Sequence, residues 1–244
     1  MSETITGRNA VMEAIRGGRS VERLILARGA EGSARKIEEA AKKKGIPVRY
    51  EERSRMDREN GGKNHQGVMA VVSDYSYCTI EDILRRAEEK EEAPFIILLD
   101  GIEDPHNLGA IMRTAECAGV HGIVIPKRRA AQVTDTVAKT SAGAVEYLLC
   151  ARTSNIGNEI DRLKKKGVWT AACDMGGEVC YNHDFTVPTA LVIGGEGTGV
   201  GRLVREKCDF IASIPMKGSI NSLNASNAAA VLMYEVLRQR TLKL

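Results

Sequence analysis

The stretch Phe95-Ile-Ile-Leu-Leu-Asp-Gly-Ile-Glu-Asp-Pro-His-Asn-Leu-Gly-Ala-Ile-Met-Arg113 is the one from which the fold is read. Its first five residues are apolar without interruption, the pattern of a short strand buried on both faces rather than one that alternates towards water. They run into a polar turn, and from Asn107 the apolar positions take up helical spacing over 107–118. The same order then recurs towards the C-terminus. A strand is expected at 122–125, a helix near 134–144 and a strand at 147–150. A helix at 156–166 stops at Gly167. Strands follow at 168–172, 190–193 and 210–214, and a final helix runs from about Asn224 to Gln239. Strands alternating with helices predict an α/β domain with a mostly parallel sheet, in which ligands sit in the loops at the carboxyl ends of the strands.

N-terminal to this region, residues 75–92 read as a linker that carries one amphipathic helix with Ile83, Leu84 and Ala87 on its apolar side. Residues 1–74 read as a smaller α/β module. Asn9 is placed to cap a first helix whose Val11, Ala14 and Ile15 share a face, and Val21–Ala27 is a strand. A second helix begins at Ser33 and stops at Gly45. Val48–Tyr50 and Gly67–Val72 are strands, and the polar stretch between them is a loop. The expected division is therefore 1–74, a linker at 75–92, and 93–244.

Composition excludes several classes. Hydrophobic residues at 43% and charged residues at 27% suit a globular domain rather than a disordered or membrane-embedded chain. The apolar runs are too short to span a bilayer, and the start, Met1-Ser-Glu-Thr-Ile-Thr, lacks a basic segment followed by an apolar core, so a cytoplasmic protein is expected. The six cysteines form no C-x-x-C pair and the four histidines are dispersed, which predicts buried free thiols and no metal site. The net charge of +3 is distributed unevenly: +5 over residues 1–73, −4 over 74–92 and +2 over 93–244. An acidic segment thus separates two mildly basic ones.

Three loops carry candidate chemistry. The first follows the strand at 95–99, where Arg113 offers a permanent charge and a planar fork suited to phosphate, although a capped helix with a surface Arg would look the same. The second, Leu191-Val-Ile-Gly-Gly-Glu-Gly-Thr-Gly-Val-Gly201, sets five glycines around one carboxylate. Glycine lets backbone approach a ligand closely, but the spacing fits neither a dinucleotide fingerprint nor a P-loop. The third, Ile211 to Asn227, is dense in Ser and Asn, which serve as helix caps or as donors and acceptors for a ligand.

Taken in order, Asn107-x-Gly109-x-x-x-Arg113, Gly194-x-Glu196-x-x-Gly199, and Ile214-Pro-Met216 with Ser222-Leu-Asn224 resemble the three motifs of the SpoU/TrmH branch of the SPOUT methyltransferases. Gly7-Arg-Asn-Ala10 and Asn64-His-Gln-Gly67 resemble the family's small N-terminal L30e-like RNA-binding domain, so the likeness covers nearly the whole chain. The resemblance implies a SPOUT domain with a trefoil knot near the C-terminus, a homodimer, S-adenosylmethionine as cofactor, and methylation of a ribose 2'-OH. The N-terminal domain points to the members that methylate a guanosine of 23S ribosomal RNA.

The same resemblance assigns roles. Gly194, Gly195, Glu196 and Gly199 are expected to wall the cofactor site, with Ile214, Met216, Ser222 and Leu223 supplying further contacts. Arg113, Asn107, Glu196, Ser222 and Asn224 are the expected catalytic set, in which Arg113 clamps phosphate, since a guanidinium stays protonated and is a poor base. His106 and His183 are read as solvated loop residues rather than bases, and His65 as serving the N-terminal module. For RNA, the candidates are Arg8, Arg16, Arg19, Arg23, Lys42, Lys43, Lys44, Arg113, Lys127, Arg128 and Arg129; the scarcity of aromatic residues favours a structured RNA read by shape and phosphates. The competing readings are the same chemistry on a transfer RNA guanosine or a ribosomal RNA adenosine, a non-catalytic RNA-binding protein, and a nicotinamide-dependent oxidoreductase.

Overall fold

The structure, a computed structural model, describes residues 2–62 and 64–242. It divides into two compact units, one of residues up to Ser76 together with Val133–Tyr147, the other of Tyr77–Gln132 and Leu148–Leu244.

The first unit begins with β1 (Ser2–Thr6), α1 (Arg8–Gly17), β2 (Val21–Ala27), α2 (Ser33–Lys43), β3 (Val48–Glu51), α3 (Arg53–Glu59) and β4 (Val68–Ser73). Its sheet has the order β1-β4-β2-β3, with β4 antiparallel to both of its neighbours and β2 parallel to β3. Three expectations are corrected. The first helix starts at Arg8 after Gly7, whose φ of 96° is open to glycine, and no side chain caps it. The polar stretch after β3 holds a helix, because Met56 supplies one fully buried anchor among charged residues. β1 was not foreseen; it pairs along its whole length with β4.

The second unit comprises α4 (Ile80–Glu89), β5 (Phe95–Asp100), α5 (Pro105–Cys117) and β6 (Gly122–Pro126), after which the chain contributes α6 (Asp135–Thr140) to the first unit and returns as β7 (Leu149–Thr153). There follow α7 (Ile156–Lys165), β8 (Trp169–Val179), β9 (Thr189–Gly194), α8 (Arg202–Lys207), β10 (Phe210–Ser213) and α9 (Ala225–Leu242). Every pairing in the six-stranded sheet β10-β8-β9-β5-β6-β7 is parallel. β5 lies at its centre and is buried from Phe95 to Leu99, as its unbroken apolar run requires.

The expected linker is also corrected. α4 is closed by a capping box between Thr79 and Asp82, and its Ile80 and Ile83 are core residues packed with Ile96, Leu98, Val124 and Ile160. Burial of each such side chain contributes roughly 1.5–3 kcal/mol, so this helix belongs to the second unit's core. Residues 133–147 make the opposite correction: they pack within the first unit, where Asp135 accepts the Thr6 amide at 2.6 Å and Arg19 pairs with Glu146 at 3.3 Å.

β5 and β9 are neighbours from which the sheet order runs in opposite directions, towards β6 and β7 on one side and towards β8 and β10 on the other. The loops leaving the carboxyl ends of such a pair diverge and leave a crevice.

Candidate active site

The segments that follow β5, β9 and β10 meet through side chains. Asn107, in the first turn of α5, is buried and donates from Nδ2 to Glu196 Oε1 at 3.1 Å. Asn224, just before α9, donates to Asn107 Oδ1 at 3.0 Å and to the same Glu196 oxygen. Its own Oδ1 accepts the amides of Ser226 and Asn227 at 3.0 and 3.3 Å, so one residue caps α9 and ties that helix to the other two loops. α5 begins earlier than expected, at Pro105, with Asp104 accepting the His106 amide; this frees the Asn107 side chain for the site.

The glycine loop is shaped by steric necessity. Gly195 and Gly199 form an isolated antiparallel bridge, and a Cβ on Gly194 would overlap the Gly199 carbonyl group. A Cβ on Gly195 would strike the Gly101 carbonyl of the loop after β5. The loops after β5 and β9 are further joined by the Gly201 amide, which donates to Asp100 at 2.8 Å.

Against this loop lies a cavity of about 640 Å³ lined by every expected cofactor residue: Gly194, Gly195, Glu196, Gly199, Ile214, Met216, Ser222 and Leu223. Apolar lining from Ile193, Ala212, Ile214 and Leu232 faces polar groups of Thr198, Asn221 and Ser222. An aromatic base, a ribose diol and an amino-acid end require that mixture, so these residues fit S-adenosylmethionine. Sequence reasoning missed Cys173, Asp174 and Met175 of the same wall. β8 is longer than expected, and its pairing with β10 jumps from Ala172 to Glu178, so residues 173–177 leave the ladder. The Gly176-Gly177 pair was the available signal, and a Cβ on Gly177 would strike the Ile211 carbonyl.

Arg113 lies on α5, exposed, with no hydrogen bond or ion pair among the described residues, and it is not part of the cavity wall. Other candidates are redistributed. Arg19 is withdrawn from RNA contact because its nearly buried guanidinium is held by Glu3, Glu146 and the Ser73 carbonyl. Arg8 is half-buried and bonded to the Gln66 carbonyl and Ser33, and Lys44 donates to the Ile15 carbonyl. Arg16 and Lys42 are exposed but paired with Glu13 and Glu38, while Lys43, Lys127, Arg128 and Arg129 are exposed. His183 is not a solvated loop residue: it stacks on Phe210 at 4.3 Å between centroids. His65 serves the first unit as expected, its Nδ1 accepting the Gly67 amide.

Burial pushes the thiols of Cys78 and Cys208 up, to about 11 and about 12, and raises Cys150 and Cys173 as well, whereas Cys117 is exposed. Among the described residues no His, Cys, Asp and Glu group could hold a metal ion, and no helix is long and apolar enough to cross a membrane.

Residues 94–234 match the SpoU rRNA Methylase family, and residues 4–78 match the RNA 2'-O ribose methyltransferase substrate binding family. The chain is 48% identical over 238 residues to YacO of Bacillus subtilis (strain 168), named a TrmH family tRNA/rRNA methyltransferase, covering 97% of this chain and 95% of that protein. It is 43% identical to a protein of the same designation from Staphylococcus aureus (strain MSSA476), covering 97% and 96%. The SpoU methyltransferase AviRb of Streptomyces viridochromogenes, solved with S-adenosylmethionine, superposes with a TM-score of 0.83 at 27% identity, covering 99% of this chain and 91% of that one.

Proposed function

Since the chain belongs to the SpoU rRNA methylase family and is an S-adenosylmethionine-dependent RNA methyltransferase, we propose that its acceptor is the ribose 2'-OH of a guanosine in 23S ribosomal RNA. The observation that carries this reading is the bonding of Asn107, Glu196 and Asn224 at the edge of the cofactor cavity. It brings together three motifs, the first and last of which lie 117 residues apart in the chain.

S-adenosylmethionine supplies an electrophilic methyl group on a sulfonium, and displacement from it requires the acceptor oxygen in line. The residues of this chain provide the alignment. Glu196 accepts two side-chain amides through one oxygen, which suits it to hold Asn107 and Asn224 in register rather than to take the hydroxyl proton. Ser222, exposed beside Leu223 on the cavity wall, places the ribose or the cofactor. Arg113, permanently charged and without a hydrogen bond or ion pair among the described residues, clamps a phosphate next to the target ribose; the clamped phosphate or a neighbouring polar group helps remove the proton.

The working enzyme in this reading is a cytoplasmic homodimer. Exposed Leu223, Val231 and Tyr234, on α9 and the loop before it, give an apolar surface suited to a second copy. The last helix is knotted through an earlier loop in the same reading, consistent with the bond from Asn224 to Asn107 and the packing of α9 on α5. The exposed Arg23 and Lys43 of the first unit, with no side-chain hydrogen bond or ion pair among the described residues, are docking cations for structured RNA in this reading.

Deletion of the gene in its host, followed by mapping of ribose methylation across ribosomal and transfer RNA, tests the substrate. The expected result is loss of one 2'-O-methylguanosine from 23S RNA. Loss from transfer RNA alone overturns the ribosomal half of the proposal.

A further inference from the structure

A second cavity, of about 800 Å³, opens at the carboxyl ends of β5, β6 and β7. It shares Glu196 and Thr198 with the cofactor cavity, and Asn107 lies on its wall. The Asn107–Glu196 bond therefore stands at the boundary of the two spaces, where a group passed from one to the other must cross.

The far wall is a braced shelf. Gln132 donates from Nε2 to the carbonyls of Pro126 and Ala130 at 3.0 and 3.1 Å, closing the loop on itself. The Ala131 amide donates to the Ile102 carbonyl at 2.8 Å, and the Lys127 amide to the Thr153 carbonyl at 2.8 Å, so the loop is fixed to both neighbouring strand ends. Arg128 and Arg129 stand on this shelf, exposed and without hydrogen bonds or ion pairs among the described residues. Arg129 holds a φ of 54°, a strained backbone for a non-glycine residue that the bracing maintains.

Four carboxylates line the same cavity, of which Glu196 accepts the Asn107 and Asn224 side-chain amides. Asp100 accepts the Gly201 amide and Asp104 accepts the His106 amide. Glu103 alone of the four has no such bond among the described residues. The space thus offers two free guanidinium forks and one free carboxylate. Guanidinium forks take phosphate oxygens. A carboxylate takes two adjacent donors, and among the four RNA bases only guanine presents two N–H groups side by side, at N1 and N2. Adenine and cytosine set an acceptor beside their amino group, and uracil sets its single N–H between two carbonyls.

We propose that this second cavity receives the target nucleotide, turned out of its helix, with Arg128 and Arg129 on the flanking phosphates and Glu103 reading the guanine edge. The inference rests on the methyltransferase reading and adds the base-selecting residue to it. Extrusion of the nucleotide is the general way to bring a stacked nucleoside to a concave site, and the cavity volume is in the range that accommodates a ligand of that size.

The test uses the full chain and RNA lacking the modification, in two forms: the natural sequence and one with inosine, which lacks the N2 amino group, at the methylated position. Wild type, Glu103→Gln and Arg128→Ala are compared by kcat/KM on both RNAs, with S-adenosylmethionine affinity measured by calorimetry. Glu103→Gln is expected to lose roughly 10- to 100-fold on the guanosine RNA, to shrink the penalty for inosine, and to bind S-adenosylmethionine as wild type does. Arg128→Ala is expected to weaken both RNAs equally, because phosphate contacts carry no base information. An inosine penalty that is the same in wild type and Glu103→Gln overturns the assignment of Glu103, as does methylation of a nucleoside other than guanosine; both leave the methyltransferase reading standing. Absence of transfer to any RNA by the wild type overturns both.

Discussion

Nδ2 of Asn107 donates to Oε1 of Glu196 at 3.1 Å, joining the helix after β5 to the glycine loop after β9. A second carboxylate at that position would repel the first. Asn107→Asp is therefore expected to lower kcat for methyl transfer on the order of 100-fold, since it removes a charge-assisted hydrogen bond and adds like-charge repulsion. Single-turnover kinetics at saturating S-adenosylmethionine check this. A rate within about threefold of wild type would mean that the bond does not order the site.

Arg113 is exposed and bonded to nothing among the described residues, so Arg113→Lys is expected to change stability by less than about 0.5 kcal/mol. It keeps the charge but loses the planar fork, and most activity should go with it. Thermal melts and initial rates on the same preparation separate the two effects; near-normal turnover contradicts the clamp.

Two neighbouring glycines make a sharper comparison. Gly194→Ala places a Cβ into the Gly199 carbonyl and is expected to abolish S-adenosylmethionine binding. Gly197, at φ +76°, has open space around its Cβ position, so Gly197→Ala costs only the left-handed backbone strain of about 1–2 kcal/mol. Calorimetric titration of both variants should show binding lost in the first and retained in the second.

Much of this was legible in the sequence, and the rest was hidden for identifiable reasons. The unbroken apolar run of Phe95–Leu99 could only be a central strand, and Gly194, Glu196 and Asn224 marked the loops that meet. α4 was misread as a linker because its charge hid how deeply Ile80 and Ile83 are buried. Arg19 was misread as a docking cation because no local pattern announces partners such as Glu146, which lies 127 residues away. The 173–177 excursion of β8 arises from a register jump against β10, a property of two strands rather than of either one.

Arg240, near the end of α9, donates to the carbonyls of Ala93, Pro94, Phe185 and Val187 at 2.7 to 3.1 Å. Arg240→Met leaves four carbonyls without that donor and is expected to cost on the order of 3 kcal/mol. Urea denaturation reads this as a lower midpoint with unchanged slope. A loss under about 1 kcal/mol would show that water replaces the guanidinium freely.

His121 is fully buried, its Nδ1 accepting the Phe95 amide at 3.0 Å and its Nε2 facing Glu92. Burial holds its pKa below the ordinary 6.5. The unfolded chain therefore takes up a proton near pH 6.5 that the folded protein refuses, so stability present above that pH is lost as pH falls towards the folded value. His121→Asn keeps an acceptor for the amide and should flatten the decline, as followed by melting temperature between pH 7.5 and 5.

The most direct test of the central claim is the chemical position of the transferred methyl. RNA lacking the modification is incubated with the enzyme and methyl-labelled S-adenosylmethionine, then hydrolysed in alkali, which cleaves only where a free 2'-OH can attack the adjacent phosphate. The account predicts label in alkali-resistant dinucleotides that yield 2'-O-methylguanosine on complete enzymatic digestion, formed on the order of 100-fold more slowly by Asn107→Asp. Label released in mononucleotides, on a base rather than a ribose, would contradict it.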